Sequence, residues 1–276
     1  MNKLIQYREG YFKGVREVRL FYRHWKIAEP TAVVVRVHGF GSHGGRSKHV
    51  TEFLLEKGFN FSSYDQRGHG KSEGMRGYVN AFQEFLDDLH RFVKLSRIDG
   101  TPTFLLGSSL GGLISLLYSI KNSRAIEGVI ASAPFLKIGS GVTLSHQDRD
   151  EIQKIAIVNP SAFFNFGDAE EARSRKEEDK LMHDTMTFRL FSEILLAQKK
   201  VFDFGRFITV PILLLHGSAD TIADPTGSRE LFDRIAIADK KLMIYKSMKH
   251  VLLGNDREAI PLLMDIVNWM NDHIKT

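Results

Sequence analysis

The sequence predicts an α/β protein with one mostly parallel sheet covered by helices on both faces, and three observations carry that expectation. From about residue 31 onward, short apolar runs rich in β-branched residues alternate with longer segments of helical periodicity. The chain has 276 residues, of which 43% are hydrophobic, enough to bury a substantial core. The alternation then breaks between about Leu136 and Phe207, where no strand is evident, so an insertion is expected inside an otherwise regular sheet.

Residues 10 to 27, GYFKGVREVRLFYRHWKI, crowd aromatic and β-branched residues together and predict an early hairpin. Strands follow at TAVVVRV, FNFSSYD, TPTFLLG, IEGVIASA, VPILLLHG and KKLMIYK, with helical segments between most of them. In one such segment Phe82, Phe85, Leu86, Leu89, Phe92 and Val93 form a single apolar stripe. Asp87, Asp88 and Arg91 are expected to face away from it, and His90 borders it as a structural histidine. The insertion, 136 to 207, joins SAFFNF, the charged run DAEEARSRKEEDK and the apolar stretch MTFRLFSEILLAQ. It predicts a helical cap within a single domain, 1 to 276, with the charged run as a solvated helix face.

Composition narrows the classes of function. The formal charge is +5, but 38 Lys+Arg and 33 Asp+Glu are intermixed along the chain. That pattern describes an ordinary solvated surface rather than a nucleic-acid face, and leaves room for weak attraction to anionic lipid. Cysteine is absent, which excludes disulfides, a thiol nucleophile and a cysteine metal site, and points to a reducing, cytoplasmic setting. The first residues, MNKLIQYREGYFKG, lack the apolar core of a signal peptide. No run approaches the ~18 apolar residues of a spanning helix, so the protein is expected to be soluble and at most to touch a membrane surface.

The strongest chemical signal is TFLLGSSLGGLISLLYSI, in which Gly107, Ser108, Ser109, Leu110 and Gly111 form G-x-S-x-G between an apolar strand and an apolar helix. Strand, sharp turn and helix are the context that a nucleophile elbow requires, with flanking glycines that let strand and helix approach without Cβ clashes. Ser109 sits at the apex, and Ser108 one place off it. A serine hydroxyl is a poor nucleophile until a base takes its proton, so an acid and then a histidine should follow along the chain. Asp220 lies in the loop after VPILLLHG and His250 in the loop after KKLMIYK, both at strand C-terminal ends, where an open sheet gathers its catalytic groups. Asp224 precedes Pro225 and suits a helix start; His216 lies inside a strand run and His273 in the terminal helix, so neither is placed as the base. His38 and His69 sit in glycine loops, which they are expected to brace.

One competing motif has to be resolved. Gly39, Gly41 and Gly44 follow a strand with G-x-G-x-x-G spacing, and Asp65 ends the next strand, as in a dinucleotide site. A dinucleotide turn opens directly into a helix, whereas Gly44, Gly45 and Arg46 delay helix entry here. It also leaves Ser109, Asp220 and His250 unexplained. If the loop serves the serine instead, the backbone N–H groups of Phe40 and Leu110 can point at one developing oxyanion. GHGKS, 68 to 72, similarly lacks the first glycine of a phosphate loop, with Asp at position 65.

HGFGSHGGR, YDQRGHGKSEG, GSSLGG, ASAP, LLLHGSAD and KHVLL together resemble the monoacylglycerol lipase and lysophospholipase branch of the serine α/β-hydrolases, over about residues 10 to 270. The resemblance implies an α/β-hydrolase fold with Ser109 as nucleophile, Asp220 as acid, His250 as base, and Phe40 and Leu110 as oxyanion donors. It also implies a cap over the site, hydrolysis of a small lipid monoester, monoacylglycerol foremost, and no metal or organic cofactor; the alternatives are a lysophospholipase or general carboxylesterase, an amidase or aminopeptidase, and a non-enzymatic ligand receptor on the same fold. A transient membrane contact would run through the cap. Members often carry Glu where this chain has Ser42 and an aromatic where it has Ser47, beside Arg46, and the family's D-P-L is Asp179-Lys180-Leu181 here. The polar end of the pocket is therefore expected to differ.

Overall fold

The chain opens with the predicted hairpin, β1 (Gln6–Lys13) paired antiparallel with β2 (Arg19–Lys26). The computed structural model describes residues 4–46, 48–140, 157–158, 178–254 and 256–274. After the hairpin come β3 (Ala32–Val37), α1 (Lys48–Glu56), β4 (Phe59–Tyr64), α2 (Gln83–Ser96), β5 (Thr103–Ser108), α3 (Leu110–Lys121) and β6 (Gly128–Ser132). A two-residue strand, β7 (Ile157–Val158), pairs antiparallel with β8 (Met186–Thr187). Then follow α4 (Phe188–Phe204), β9 (Ile212–Gly217), α5 (Pro225–Arg234), β10 (Lys240–Tyr245) and α6 (Asp256–His273).

Eight of these strands form one sheet in the order β1-β2-β4-β3-β5-β6-β9-β10. β2 is antiparallel to β1 and β4, and every later pairing is parallel. Side chains alternate between faces along each strand. Val33, Val35, Val37 and Leu105 pack with α2, α3 and α4, whereas Ala32, Val34, Phe104 and Leu106 pack with α1 and α6. Both faces are thus covered, which explains why the strands are near-continuous apolar runs.

Two sequence expectations change. Between β6 and β9 the insertion contains the short β7–β8 ribbon as well as helix, so the expectation of no strand fails. A two-residue strand is too short to leave a period-2 signal. On α2, Asp87 and Arg91 are exposed as expected, but Asp88 is buried along with Glu84. Together they grip Arg67: Asp88 accepts from Nε at 2.7 Å and Nη2 at 2.9 Å, and Glu84 from Nη1 at 2.9 Å. Asp88 also accepts from the Val15 N–H at 2.8 Å, so it ties the hairpin and the loop after β4 to the same helix.

The insertion's apolar residues divide similarly. Met186, Leu190 and Phe191 are buried in the core on the α2–α3 face, whereas Phe188 is only partly buried. Phe163, Phe164 and Phe166 lie outside the described residues. α4 leaves Leu195 and Leu196 exposed beside exposed Lys199 and Lys200. Among the described residues, no helix is long and apolar enough to cross a membrane.

Candidate active site

Ser109 stands where β5 turns into α3, with φ 52° and ψ −118°. This is a left-handed conformation that an L-residue adopts only when its surroundings enforce it. The enforcement is visible: the Ser109 N–H donates to Ser132 O at 3.0 Å, and its carbonyl accepts from Gly112 and Phe135 at 2.9 and 3.1 Å. A Cβ at Gly107 would lie 2.3 Å from Gly111 O, and one at Gly111 2.1 Å from Val37 O. Both positions of the motif therefore require glycine. Ser108 turns elsewhere, accepting from Arg36 Nη1 at 2.8 Å.

The loops after β9 and β10 bring the other two residues to Ser109. They are stapled together by Ala219 N–H to Met248 O at 3.0 Å and Ser247 N–H to Ser218 Oγ at 2.9 Å. His250 Nε2 lies 2.9 Å from Ser109 Oγ, and His250 Nδ1 lies 2.7 Å from Asp220 Oδ2. Asp220 Oδ1 accepts from the Ile222 and Ala223 N–H groups, each at 2.9 Å. Burial works to raise the Asp220 pKa; hydrogen bonds from His216 and His250, the charge of His250 and the Ala223 N–H outweigh it and hold the carboxyl well below the usual range. The residue is therefore an ionised acceptor at neutral pH, suited to hold an imidazole Nδ1–H.

The loop after β3 closes the other side of Ser109. A Cβ at Gly39 would sit 3.3 Å from Ser109 Cβ, so the backbone at Gly39 passes close against Ser109. Leu110 is the first residue of α3, where an N–H has no partner within the helix. His38 braces this loop as expected: it donates from Nδ1 to Gly39 O at 2.8 Å and accepts the Gln66 N–H on Nε2 at 2.9 Å. His69 meets Phe40 edge-on, with ring centroids 5.8 Å apart.

A family model for serine aminopeptidase S33 hydrolases matches residues 28–258, most of the chain. The chain belongs to that family of hydrolases. This S33 hydrolase is 30% identical to human monoglyceride lipase over 93% of its own length and 88% of the relative. It is 28% identical to a monoacylglycerol lipase of Mycolicibacterium smegmatis, covering 96% of this chain and 98% of that one. It also matches a longer abhydrolase domain-containing protein of Dictyostelium discoideum, spanning only 27% of that protein's length. Among solved structures, the monoacylglycerol lipase of Paleococcus ferrophilus superposes with a TM-score of 0.75 at 28% identity, covering 97% of this chain and 99% of that one.

Several residues of the S33 hydrolase take roles that the sequence did not announce. Asp65, the acid that imitated a dinucleotide motif, is fully buried and accepts from Arg23 Nη1 at 2.7 Å and from the Gly44 and Lys71 N–H groups at 2.8 Å each. It fastens the loop after β3 to the loop after β4. His43 Nε2 meets Asp179 Oδ2 at 2.7 Å, and the His183 N–H donates to Gly41 O at 3.0 Å. The D-K-L segment is thereby latched onto the loop that carries Phe40. Arg46 contacts Met182 Sδ; Ser47 lies outside the described residues. Asp224 caps α5, accepting from Thr226 N–H at 2.8 Å, while His273 contacts Trp269 O and Asp239. His90 meets the Tyr118 hydroxyl at 3.1 Å, a structural contact as expected.

Proposed function

We propose that the protein is a carboxylic ester hydrolase that acts on lipid monoesters, monoacylglycerols foremost, through an acyl-enzyme. The observation that carries this reading is the continuous chain Ser109 Oγ, His250, Asp220, with contacts of 2.9 and 2.7 Å. Ser109 Oγ attacks the ester carbonyl while His250 Nε2 takes its proton. Negative charge moves onto the carbonyl oxygen, where the Phe40 and Leu110 N–H groups receive it. As the carbonyl re-forms, the C–O bond to the alcohol breaks, and His250 returns the proton to the departing oxygen. Water then attacks the acyl-serine, losing a proton to His250, and collapse frees the carboxylic acid and restores Ser109. Asp220 holds His250 in the Nδ1–H tautomer throughout and balances the imidazolium. No metal or organic cofactor enters these steps.

Relatives at 28–30% identity named as monoacylglycerol lipases support the lipid monoester. Residues 136 to 207 act as the cap, and exposed Leu195 and Leu196 next to Lys199 and Lys200 suit transient contact with an anionic membrane surface from the cytoplasmic side. A second reading, amide cleavage, is favoured by the family model's description as an aminopeptidase. A turnover screen of 1-monoacylglycerols, lysophospholipids, simple esters and aminoacyl amides separates them. Monoacylglycerol is expected to lead, with kcat/KM rising up to roughly fourfold per added CH₂, since each buried CH₂ is worth ~0.8 kcal/mol. A peak at acetate overturns the lipid reading, and aminoacyl amides leading overturns the ester reading. Fluorophosphonate labelling is expected to vanish in Ser109→Ala and to persist in Ser108→Ala.

A further inference from the structure

His216 is the penultimate residue of β9, the otherwise apolar strand that delivers Asp220, and its side chain is completely buried. Its Nε2 lies 3.1 Å from Asp220 Oδ2 and 3.0 Å from Ala223 O, and its Nδ1 lies 2.7 Å from Ser228 Oγ on α5. Two acceptors face Nε2, so Nε2 carries the hydrogen, and Nδ1 is left to accept the Ser228 hydroxyl proton. The carboxylate of Asp220, itself with no exposed side-chain surface, then has four donors: two backbone N–H groups on Oδ1, and His250 and His216 on Oδ2.

We propose that His216 is a positioning residue of the site: as the Nε2–H tautomer set by Ser228, it locks the rotation of Asp220 and takes up part of the charge that Asp220 would otherwise direct at His250. This rests on the reading of Ser109, His250 and Asp220 as nucleophile, base and acid. Without the His216 N–H, one lone pair of a buried carboxylate faces no donor and the carboxylate can twist about its Cβ–Cγ bond. The alignment of His250 with Ser109 loosens, and the imidazolium formed on His250 is held more tightly. The first effect lowers kcat; the second moves the acid limb of the rate profile to higher pH. The titratable groups bearing on Asp220 are His216 from β9 and His250 from the loop after β10. α5 contributes the uncharged Ser228, and Asp224 at its start is engaged with Thr226 N–H.

Glutamine and methionine match in size, but only glutamine keeps an N–H near the position of Nε2, so the pair His216→Gln and His216→Met isolates the donor. His216→Met is expected to lose roughly tenfold to hundredfold in kcat on the preferred ester, well short of the ~10⁴ lost with the acid's function. Its KM is expected to stay unchanged, and its acid-limb midpoint to rise by about half a unit to one unit. His216→Gln is expected to recover most of the kcat and the original midpoint. If the two variants match in kcat and in acid limb while Ser109→Ala is inactive, the positioning role is overturned and the nucleophile assignment stands. A fully active Ser109→Ala instead overturns the reading beneath it. Should His216→Met fail to fold, ¹⁵N-histidine NMR of the unmodified protein decides. His216 seen as the Nε2–H tautomer at neutral pH supports the role, and the Nδ1–H tautomer overturns it.

Discussion

Acidification should destabilise this fold well before its carboxylates are protonated. His38 and His69 are almost wholly buried, at 2% and 1% exposure. Burial pushes His38 down to about 3, against the pull of its bond to Gly39 O. Burial, with the neighbouring His183 and His38, pushes His69 well below its ordinary value. In the unfolded chain each regains a pKa of about 6.5. Between those limits the unfolded state binds more protons than the folded one, so stability is complete above about pH 7 and is lost as pH falls through 6.5. From about pH 7.5 to about pH 5, each imidazole that stays neutral in the fold costs about 1.4 to 1.5 pH units at 1.36 kcal/mol per unit, or ~2 kcal/mol. The pair costs ~4 kcal/mol, a large share of the ~5–15 kcal/mol typical of a native protein. His24 and His183, each lowered to about 4 by burial first, act in the same direction. Asp88, raised by burial, opposes the trend only near the carboxylate range. At roughly 2–4 °C per kcal/mol, Tm should drop by about 8–16 °C between the two pH values. Differential scanning calorimetry in matched ionic strength measures it. A Tm constant within about 2 °C, or higher at the acid end, would show that these imidazoles are charged in the fold and refute the reasoning.

Three further outcomes are expected. Asp220→Asn should cost on the order of 10⁴ in kcat by leaving His250 in the wrong tautomer, whereas Asp224→Asn should leave kcat intact and shift stability by no more than about 1 kcal/mol, since it only caps α5; a larger kinetic effect at Asp224 reverses the assignment. Ser109→Gly and Ser109→Ala should both be inactive, but glycine relieves a left-handed backbone worth about 1–3 kcal/mol at the cost of about 0.5–1 kcal/mol in chain entropy, so it should melt higher than alanine by thermal scan. Asp88→Ala should lower stability by about 3–5 kcal/mol in urea titration, because it leaves the buried Arg67 guanidinium with Glu84 as its one charged partner besides the Val15 carbonyl.

The layered fold, the hairpin and the elbow were legible because each imposes a local pattern: period-2 or continuous apolar runs, and glycines flanking a serine between strand and helix. That Asp220 and His250 would meet Ser109 was legible from their loops alone, since a parallel sheet collects its strand C-termini along one edge. Asp88 was misplaced because helical periodicity assigns a carboxylate to water unless its cation is known. Arg67, its partner, comes from a loop 21 residues away in sequence. His216 illustrates the reverse case. A lone histidine closing the apolar run VPILLLHG was itself a signal, since a buried imidazole needs partners for its ring nitrogens, but Ser228 and the fold of the Asp220 loop cannot be read from spacing.

The loop from His38 to Arg46 links the chemistry to the insertion. From below it is fixed by His38 to Gln66 and by Asp65 to Gly44. From above it is held by Asp179 on His43 and by the His183 N–H on Gly41 O. Phe40 lies between these attachments, its ring edge-on to His69 and His183 at centroid distances of 5.8 and 5.5 Å. An oxyanion donor works only if its N–H is already aimed when charge develops, because reorientation at that moment would consume the stabilisation. A loop anchored on one side only would leave that aim to thermal motion, and segment 179–183 supplies the second anchor. With Phe40 as the proposed oxyanion donor, the contacts of segment 179–183 also set the direction of its N–H. Under the proposed function, the latch of segment 179–183 and the aim of that donor are properties of one set of contacts, and three imidazoles whose pKa burial lowers, His38, His69 and His183, sit among them.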